Sequence, residues 1–222
     1  MVLNDIELLV DPFPHVLFKY AYDEWVMPQI WEELNFLCYW DKLLDPEQSG
    51  SAFTKDKQLL KQNGCVWLDD IYAQPNLSNI LRATNEFQTR QLWQICQQHP
   101  HWYFNKAQIN YTSNLISYYE NGGYYKPHND QAYFTCLTWF FKKPKAFAGG
   151  DLYFPEYDYK VECKHNSRIL FPSRIVHEVD EITMNPSMLT NKLGRFCYSQ
   201  FFSLIPMQQS ISKDYFNVRY IV

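Results

Sequence analysis

The spacing of apolar residues changes along the chain, and this change constrains the fold more than any other sequence feature. In the second half, apolar and polar residues alternate in short runs, as in β-strands with one buried face. The runs predicted as strands are 107–120, 124–130, 133–141, 151–154, 159–163, 168–171, 176–179 and 195–202. Turn residues separate several of them, at 121–123, 142–150 and 191–194. So many short strands close together predict a jelly roll or a small barrel.

Helical spacing dominates the first half instead, apart from a short strand predicted at 16–18. A first helix is predicted over 23–40, with Asp23 as its N-cap. Its apolar residues recur every three or four positions and are Ile30, Leu34, Leu37 and Cys38. A second helix, capped by Asn76 or Ser78, is predicted to end near residue 97. The polar stretch 45–63 is interpreted as a loop with a short helix.

Together these patterns predict an α+β, mainly β, fold class. The expected architecture is a double-stranded β-helix, a jelly roll of the cupin-like kind, with the N-terminal helices packed on one face. A length of 222 residues suits one domain over 1–222. Within it, 1–105 would be a helical support region and 106–222 the jelly-roll catalytic core.

Composition and charge restrict the partners that the chain is expected to have. A net charge of −4 gives no long-range attraction to nucleic acid or to an anionic membrane. The first ten residues lack a basic segment, and no apolar run approaches the ~18 residues of a membrane span, so we expect a cytoplasmic protein. The six cysteines contain no C-x-x-C pair and are predicted to be reduced structural thiols. The oligomeric state stays open.

A metal site is predicted from His128, Asp130 and a distant second histidine. On a strand, residues i and i+2 point to the same face, so His128 and Asp130 would project together into the barrel. His177 follows the turn at 172–174 and is the candidate third ligand, with a core histidine bonded to a backbone carbonyl as the alternative. Two imidazoles and one carboxylate leave three positions of an octahedron open, which is typical of non-haem iron(II) oxygenases.

Arg195 is the candidate for binding an anionic ligand. It opens a strand that is otherwise almost uncharged, and an inward guanidinium would need an anionic partner. A carboxylate could accept two hydrogen bonds from it. The alternative is an arginine at the mouth of a strand that reaches solvent.

The order of these elements resembles that of a known family, the prolyl-4-hydroxylase-like branch of the 2-oxoglutarate/iron(II) dioxygenases. The pattern Tyr119-x-x-Gly122-x-x-Tyr125-x-x-His128-x-Asp130 is similar to the metal-binding strand of that family. The segments 135–140, 149–155, 168–179 and 194–195 resemble the motifs that follow in the family, in the same order. The resemblance extends over roughly 118–202.

The resemblance implies an enzyme that binds Fe(II) through the two histidines and Asp130, and 2-oxoglutarate through Arg195. Dioxygen would be the second cosubstrate, with ascorbate as an accessory reductant. In the family, 2-oxoglutarate is converted to succinate and carbon dioxide while a substrate C–H bond is hydroxylated. Tyr119 and Trp139 are further candidates for contact with 2-oxoglutarate, Trp139 because relatives can carry a tyrosine there. An insertion at 181–192 leaves the register of Arg195 open.

Some assignments compete with these. Arg168 and Arg174 are rival basic residues, but both precede His177, where the family pattern does not place the role. Tyr118 is the neighbour of Tyr119 and would face the opposite way. Halogenation is disfavoured because halogenating relatives lack the carboxylate that Asp130 supplies here.

Several substrate classes remain open from the sequence. The resemblance favours a prolyl residue in a peptide or protein, and the alternative is a free amino acid or another small metabolite. Substrate contacts are expected in the loops at 40–63 and 131–133. A nucleic-acid demethylase is disfavoured, because that branch carries a second arginine where this chain has Phe201. A further alternative is a non-catalytic, metal-binding jelly-roll module, or a cupin that uses zinc or manganese.

Overall fold

The alternating runs of the second half form antiparallel strands in the computed structural model, which describes residues 5–39, 42–49, 53 and 58–205. The strands are β1 (Ile6–Leu9), β2 (His15–Phe18), β3 (Lys61–Gln62), β4 (Gly64–Trp67), β5 (Tyr111–Tyr119), β6 (Tyr124–His128), β7 (Phe134–Phe140), β8 (Phe147–Ala148), β9 (Leu152–Phe154), β10 (Tyr159–Val161), β11 (Arg168–Pro172), β12 (His177–Val179), β13 (Thr183–Met184) and β14 (Arg195–Ser203). Each of the predicted strands is present, with bounds that differ by a few residues.

Two sheets pack face to face and enclose the interior of the fold. The larger has the order β1-β2-β11-β7-β14-β5-β4, and the smaller has the order β10-β9-β12-β6-β3. Their inner faces share one apolar cluster, which includes Leu137 and Phe171 from the larger sheet and Phe154 and Val179 from the smaller. Two facing antiparallel sheets of this kind are a jelly roll, so the predicted fold class is confirmed.

The helices cover the outer face of the seven-stranded sheet, as predicted. They are α1 (Met27–Tyr39), α2 (Leu68–Ile71), α3 (Asn79–Glu86), α4 (Leu92–Gln98) and α5 (Trp102–Asn105), with a π-helical turn, Phe87–Gln91, between α3 and α4. Leu34 and Ile80 pack against Ile116 and Phe196 of the sheet. A second cluster joins α4 and α5 to the neighbouring strands on the same face. None of these helices is long and apolar enough to cross a membrane.

One predicted cap is confirmed and another is wrong. Ser78 caps α3, because its hydroxyl accepts a hydrogen bond from the Leu81 N–H at 3.0 Å. The first helix begins at Met27 rather than after Asp23, whose carbonyl instead accepts the Val26 N–H in a preceding turn. The physical reason is Pro28, which lacks an N–H and is tolerated only in the first turn of a helix.

The first half of the chain is more than a helical support. It supplies β1 and β2 to one edge of the larger sheet, β4 to its other edge and β3 to the smaller sheet. Of these four strands, the sequence predicted only β2, as the strand at 16–18. The stretch 45–63, interpreted as a loop with a short helix, contains a 3-10 turn, Pro46–Gln48, and β3 near its end. Residues 50–52 and 54–57 lie outside the described residues. Since the two regions share both sheets, a single domain over 1–222 remains our interpretation.

The insertion at 181–192 has its own structure. Its first part, β13, pairs with β8, a short strand inside the predicted turn 142–150, and a 3-10 helix, Pro186–Asn191, follows. Ile182 exchanges backbone hydrogen bonds with Gly122 and Gly123 at 2.7 and 2.8 Å, which fastens the insertion to the turn between β5 and β6. Ile182 is fully buried in the cluster between the sheets, so the insertion helps to close one end of the interior.

Candidate active site

Three of the predicted site residues converge at one point. The ligand atoms of His128, Asp130 and His177 all lie within 4.8 Å of one another. His128 ends β6 and pairs directly with His177, which begins β12. The Asp130 Oδ1 lies 3.9 Å from the His128 Nε2, and its Oδ2 lies 3.4 Å from the His177 Nε2. Two imidazoles and one carboxylate on one side of a shared space are a donor set that fits iron(II).

Both histidines are held in the tautomer that a metal requires. The Nδ1 of His128 lies 2.8 Å from the Lys126 carbonyl oxygen, and the Nδ1 of His177 lies 2.9 Å from the Ile175 carbonyl oxygen. Because a carbonyl oxygen only accepts, each Nδ1 must carry the proton and donate it. Each Nε2 therefore keeps a free lone pair, directed at the point where the three side chains meet.

The electrostatics of the site keep His128 neutral. Burial and, after it, the neighbouring His177 lower the pKa of His128 to about 3. The ring of Tyr125 stacks on that of His128 with 3.5 Å between centroids. A neutral imidazole is the form that binds a metal, so no proton has to be displaced at neutral pH.

Asp130 is fixed by groups that sequence reasoning missed. It lies beyond the end of β6 rather than on the strand as expected, and its N–H donates to the Ser173 carbonyl oxygen at 2.9 Å. The hydroxyl of Thr135 donates to the Asp130 Oδ2 at 2.6 Å and lies 2.9 Å from the Ser173 hydroxyl. Thr135 and Ser173 are both fully buried. This chain of hydroxyls orients the carboxylate and leaves its other oxygen turned toward His128.

The three donors lie on the wall of a cavity of about 550 Å³ between the sheets. Its lining includes Tyr119 and Arg195, which pair at one end of β5 and β14, and Tyr111 and Phe201 toward the other end of these strands. A volume of this order suits a small ligand together with part of a substrate. Both loops expected to contact substrate contribute to the wall: Phe53 and Leu60 from 40–63, and Gln131 and Ala132 from 131–133.

Arg195 is fully buried, and all three nitrogens of its guanidinium lack a hydrogen-bond partner among the described residues. It pairs with Tyr119 across β14 and β5, which puts both side chains on the inner face of the larger sheet. Its guanidinium carbon lies 4.9 Å from the Tyr119 ring centroid and 5.8 Å from that of Trp139. Aromatic faces compensate a buried cation only in part, so the site is built to receive an anion.

The space around Arg195 depends on a glycine. Gly150 has a φ of +77°, and a Cβ at this position would lie 3.0 Å from the Arg195 Cδ and 3.1 Å from the Ile182 Cδ1. A side chain here would be strained and would press on the arginine. The Gly149-Gly150 turn in the predicted motif therefore has a physical role beside Arg195.

Tyr119 and Trp139 are close to Arg195. Burial raises the pKa of Tyr119, so its phenol stays protonated. The Trp139 indole N–H is buried and has no hydrogen-bond partner among the described residues. Trp139 pairs with Cys197 across β7 and β14, and so shares the inner face of the larger sheet. Each could donate to a carboxylate bound at Arg195.

The rival residues lie elsewhere. Arg168 is buried on the outer face, where its Nε donates to the Thr138 hydroxyl at 2.8 Å and its guanidinium lies 4.2 Å from the Phe87 ring centroid. Arg174 is exposed and donates to the Gln131 side chain at 2.9 Å. The Tyr118 hydroxyl donates to Glu120 at 2.9 Å, away from the cavity.

Comparisons with known proteins agree with this geometry. Residues 114–202 match the family model of the 2OG-Fe(II) oxygenase superfamily. No curated protein matches the sequence. The matched segment contains the three donors and Arg195, and over it the chain is similar to the 2OG-Fe(II) oxygenase superfamily, a class of enzymes that uses Fe(II) and 2-oxoglutarate.

Solved structures share the fold at low sequence identity. A prolyl-4-hydroxylase from Pseudomonas putida has a TM-score of 0.60 and 12% identity, with 86% of this chain and 93% of that chain covered. A Trichoplax adhaerens prolyl hydroxylase, in complex with a hypoxia inducible factor peptide fragment, has a TM-score of 0.63 and 12% identity over 85% and 83% of the two chains. The epimerase SnoN from nogalamycin biosynthesis has a TM-score of 0.51 and 11% identity over 85% and 76%. At such identities the likeness concerns the fold alone.

Proposed function

We propose that this oxygenase hydroxylates an unactivated C–H bond of an amino-acid residue, as prolyl 4-hydroxylases do. One observation carries the proposal. The cavity that holds the His128, Asp130 and His177 donor set also holds Arg195, a fully buried guanidinium with three unpartnered nitrogens. A metal-binding face and an unpaired cation in one cavity fit a dicarboxylate that binds at both ends.

His128, Asp130 and His177 would hold the iron, and Arg195 would bind the distal carboxylate of 2-oxoglutarate. The guanidinium can donate two parallel hydrogen bonds to that carboxylate. The Trp139 indole N–H, buried without a partner on the same inner face, and the protonated phenol of Tyr119 would add further donors. Iron(II) would supply the oxidising chemistry: 2-oxoglutarate, dioxygen and the substrate C–H bond yield succinate, carbon dioxide and a C–OH group.

The side chains around the donor set would orient the reactants and exclude water. Thr135 and Ser173 would hold Asp130 so that one of its oxygens faces the metal. Tyr125 and Leu137 would form apolar walls on either side of the cosubstrate. Ascorbate would serve as an accessory reductant.

Two substrate classes are compatible with this site. Similarity of fold to prolyl hydroxylases, one of them in complex with a peptide, supports a prolyl residue of a peptide or protein. The second candidate is a free amino acid or small metabolite, and a buried lysine in the cavity favours it, as argued below. A non-catalytic module is not supported, because the donor set and the anion site are both complete.

Oxygen-dependent release of succinate from 2-oxoglutarate, with Fe(II) added, tests the proposal. We expect succinate from the wild type and loss of it without iron, without dioxygen or in a His177→Ala variant. Incubation with proline-containing peptides and with free amino acids, followed by mass spectrometry, should show a product that has gained one oxygen atom. Absence of succinate in every substrate mixture would contradict the proposal.

A further inference from the structure

Lys61 is a buried cation in the same cavity, and no residue discussed so far accounts for it. It lies on β3, the edge strand of the smaller sheet, with 4% of its surface exposed, and it lines the cavity. Its Nζ lies 3.8 Å from the Cys65 sulfur and 5.7 Å from the Tyr125 ring centroid. No carboxylate forms an ion pair with it among the described residues. Burying an ammonium against a thiol and a ring alone is unfavourable, so the arrangement implies an anion that the described residues do not supply.

The position of Lys61 puts that anion close to the metal site. Lys61 pairs with Tyr125 across β3 and β6, and the Tyr125 ring stacks on His128. A group bound at the Nζ would therefore lie beside the reacting centre rather than at the mouth of the cavity.

The cosubstrate does not need Lys61. In the proposed function, one carboxylate of 2-oxoglutarate faces the metal and the other faces Arg195. The positive charges in the cavity would add up to four, two from Fe(II) and one each from Arg195 and Lys61. The negative charges would add up to three, one from Asp130 and two from 2-oxoglutarate. A carboxylate on the substrate would neutralise the excess.

Asn63 adds the complementary group. It follows Lys61 by two residues, lines the same cavity and has 7% of its surface exposed. Its Oδ1 is buried and accepts no hydrogen bond from the part of the chain that the structure describes. Lys61 has only a thiol as its hydrogen-bond partner among the described residues, and Asn63, two residues later, has an acceptor without one. This pair matches a carboxylate and a neighbouring N–H.

We infer that Lys61 and Asn63 form a subsite for the α-carboxylate and the α-nitrogen of an amino-acid or imino-acid substrate. The inference rests on the proposed function and refines it, because a prolyl residue within a peptide chain has no carboxylate at that position. The same chemistry occurs in a free amino acid and in the C-terminal residue of a peptide.

Binding measurements under nitrogen, where no turnover occurs, separate these cases. The probes are the L-amino acids and their carboxamides, titrated into protein with bound Fe(II) and saturating 2-oxoglutarate and followed by tryptophan fluorescence. We expect at least one acid to bind about tenfold to a hundredfold more tightly than its amide, as a charge-assisted hydrogen bond would give. Dipeptides that end in the same residue, with a free or an amidated C-terminus, form a second arm. Binding of the free acid alone indicates a free amino acid, and binding of both acids indicates a C-terminal residue.

Variants assign the effect to Lys61. Lys61→Met should weaken binding of the acid about tenfold or more and leave the amide unchanged, while Lys61→Arg should keep the preference for the acid. Lys19→Met is the matched control, because Lys19 is exposed and its Nζ lies 5.4 Å from the Tyr20 ring centroid, a similar cation–aromatic contact outside the cavity.

The outcomes that overturn the inference are distinct from failure of the proposed function. Equal binding of acid and amide, an unchanged preference in Lys61→Met, or no binding of any acid would each overturn the subsite. A parallel titration with 2-oxoglutarate shows whether the cosubstrate site works. If 2-oxoglutarate binds and the acids do not, the subsite alone is wrong. If 2-oxoglutarate does not bind, the proposed function itself fails.

Discussion

Replacing Arg195 with methionine should have opposite effects on the ligand-free and the ligand-bound protein. Without cosubstrate, the Arg195 charge is fully buried, and its three nitrogens find no partner among the described residues. Uncompensated burial of a charge costs about several kcal/mol. The two aromatic rings at 4.9 and 5.8 Å offset part of that cost, at about 0.5–2 kcal/mol each. Methionine keeps much of the apolar stem, so the ligand-free variant should unfold at a temperature higher by about 2–4 °C for each kcal/mol gained.

With 2-oxoglutarate bound, the wild type should instead be more stable against unfolding than Arg195→Met. Each charge-assisted hydrogen bond contributes about 1.5–3 kcal/mol, so loss of two bonds from Arg195 should weaken 2-oxoglutarate binding by at least about a hundredfold. At a ligand concentration one hundred times the wild-type dissociation constant, the wild type gains about 2.7 kcal/mol from binding. The variant, at a concentration equal to its own dissociation constant, gains about 0.4 kcal/mol.

Thermal unfolding with bound Mn(II) or Zn(II), with and without 2-oxoglutarate, measures both effects. The wild type should show a large upward shift on addition of 2-oxoglutarate, and Arg195→Met almost none. Arg174→Met is the matched control, because that arginine is exposed and should leave both temperatures unchanged. An undiminished shift in Arg195→Met, or a ligand-free variant less stable than the wild type, would refute the reasoning.

Two further predictions concern the groups around the site. Thr135→Val removes the 2.6 Å hydrogen bond to Asp130 at nearly constant side-chain volume. In an anaerobic metal titration, this variant should bind Fe(II) about tenfold to a hundredfold more weakly than the wild type. An unchanged affinity would show that Thr135 does not orient the carboxylate. All six cysteines are buried without disulfides, and burial raises the pKa of Cys96 and Cys136 to about 12 and that of Cys38 to about 11. A thiol reagent at pH 8 should therefore react with them orders of magnitude more slowly in the native protein than in guanidinium chloride, and a rapidly reacting native thiol would contradict this assignment.

Much of the candidate site could be predicted because it depends on local periodicity. The positions of His128 and Arg195 require only that neighbouring side chains alternate between the two faces of a sheet. Asp130 lies near His128 as predicted, although it follows the strand and is held by Thr135 and Ser173 instead. Those residues and His177 do meet in one cavity. β14 is buried along most of its length, which explains why it carries no charged residue besides Arg195.

The remaining parts of the site depend on long-range pairing that one sequence does not reveal. β3 has two residues, too few for an alternating pattern, so the inward direction of Lys61 follows only from its pairing with β6. The bond between Thr135 and Asp130 depends on a turn that brings the two together, and Ser173 joins them from a distant strand. Pro28 is a local signal for the start of the first helix, because a proline five residues into a helix is incompatible with Asp23 as its cap.

The central claim is that His128 and His177, which lie on two paired strands, and Asp130, just beyond the first of them, hold one ferrous ion. An anaerobic Fe(II) titration by calorimetry, on the wild type and on His128→Ala, Asp130→Ala and His177→Ala, tests it most directly. We expect one ion per chain in the wild type and a loss of affinity of at least about a hundredfold in each variant, because each removes one of three ligands. Binding of one ion with wild-type affinity in any of the three would contradict the claim.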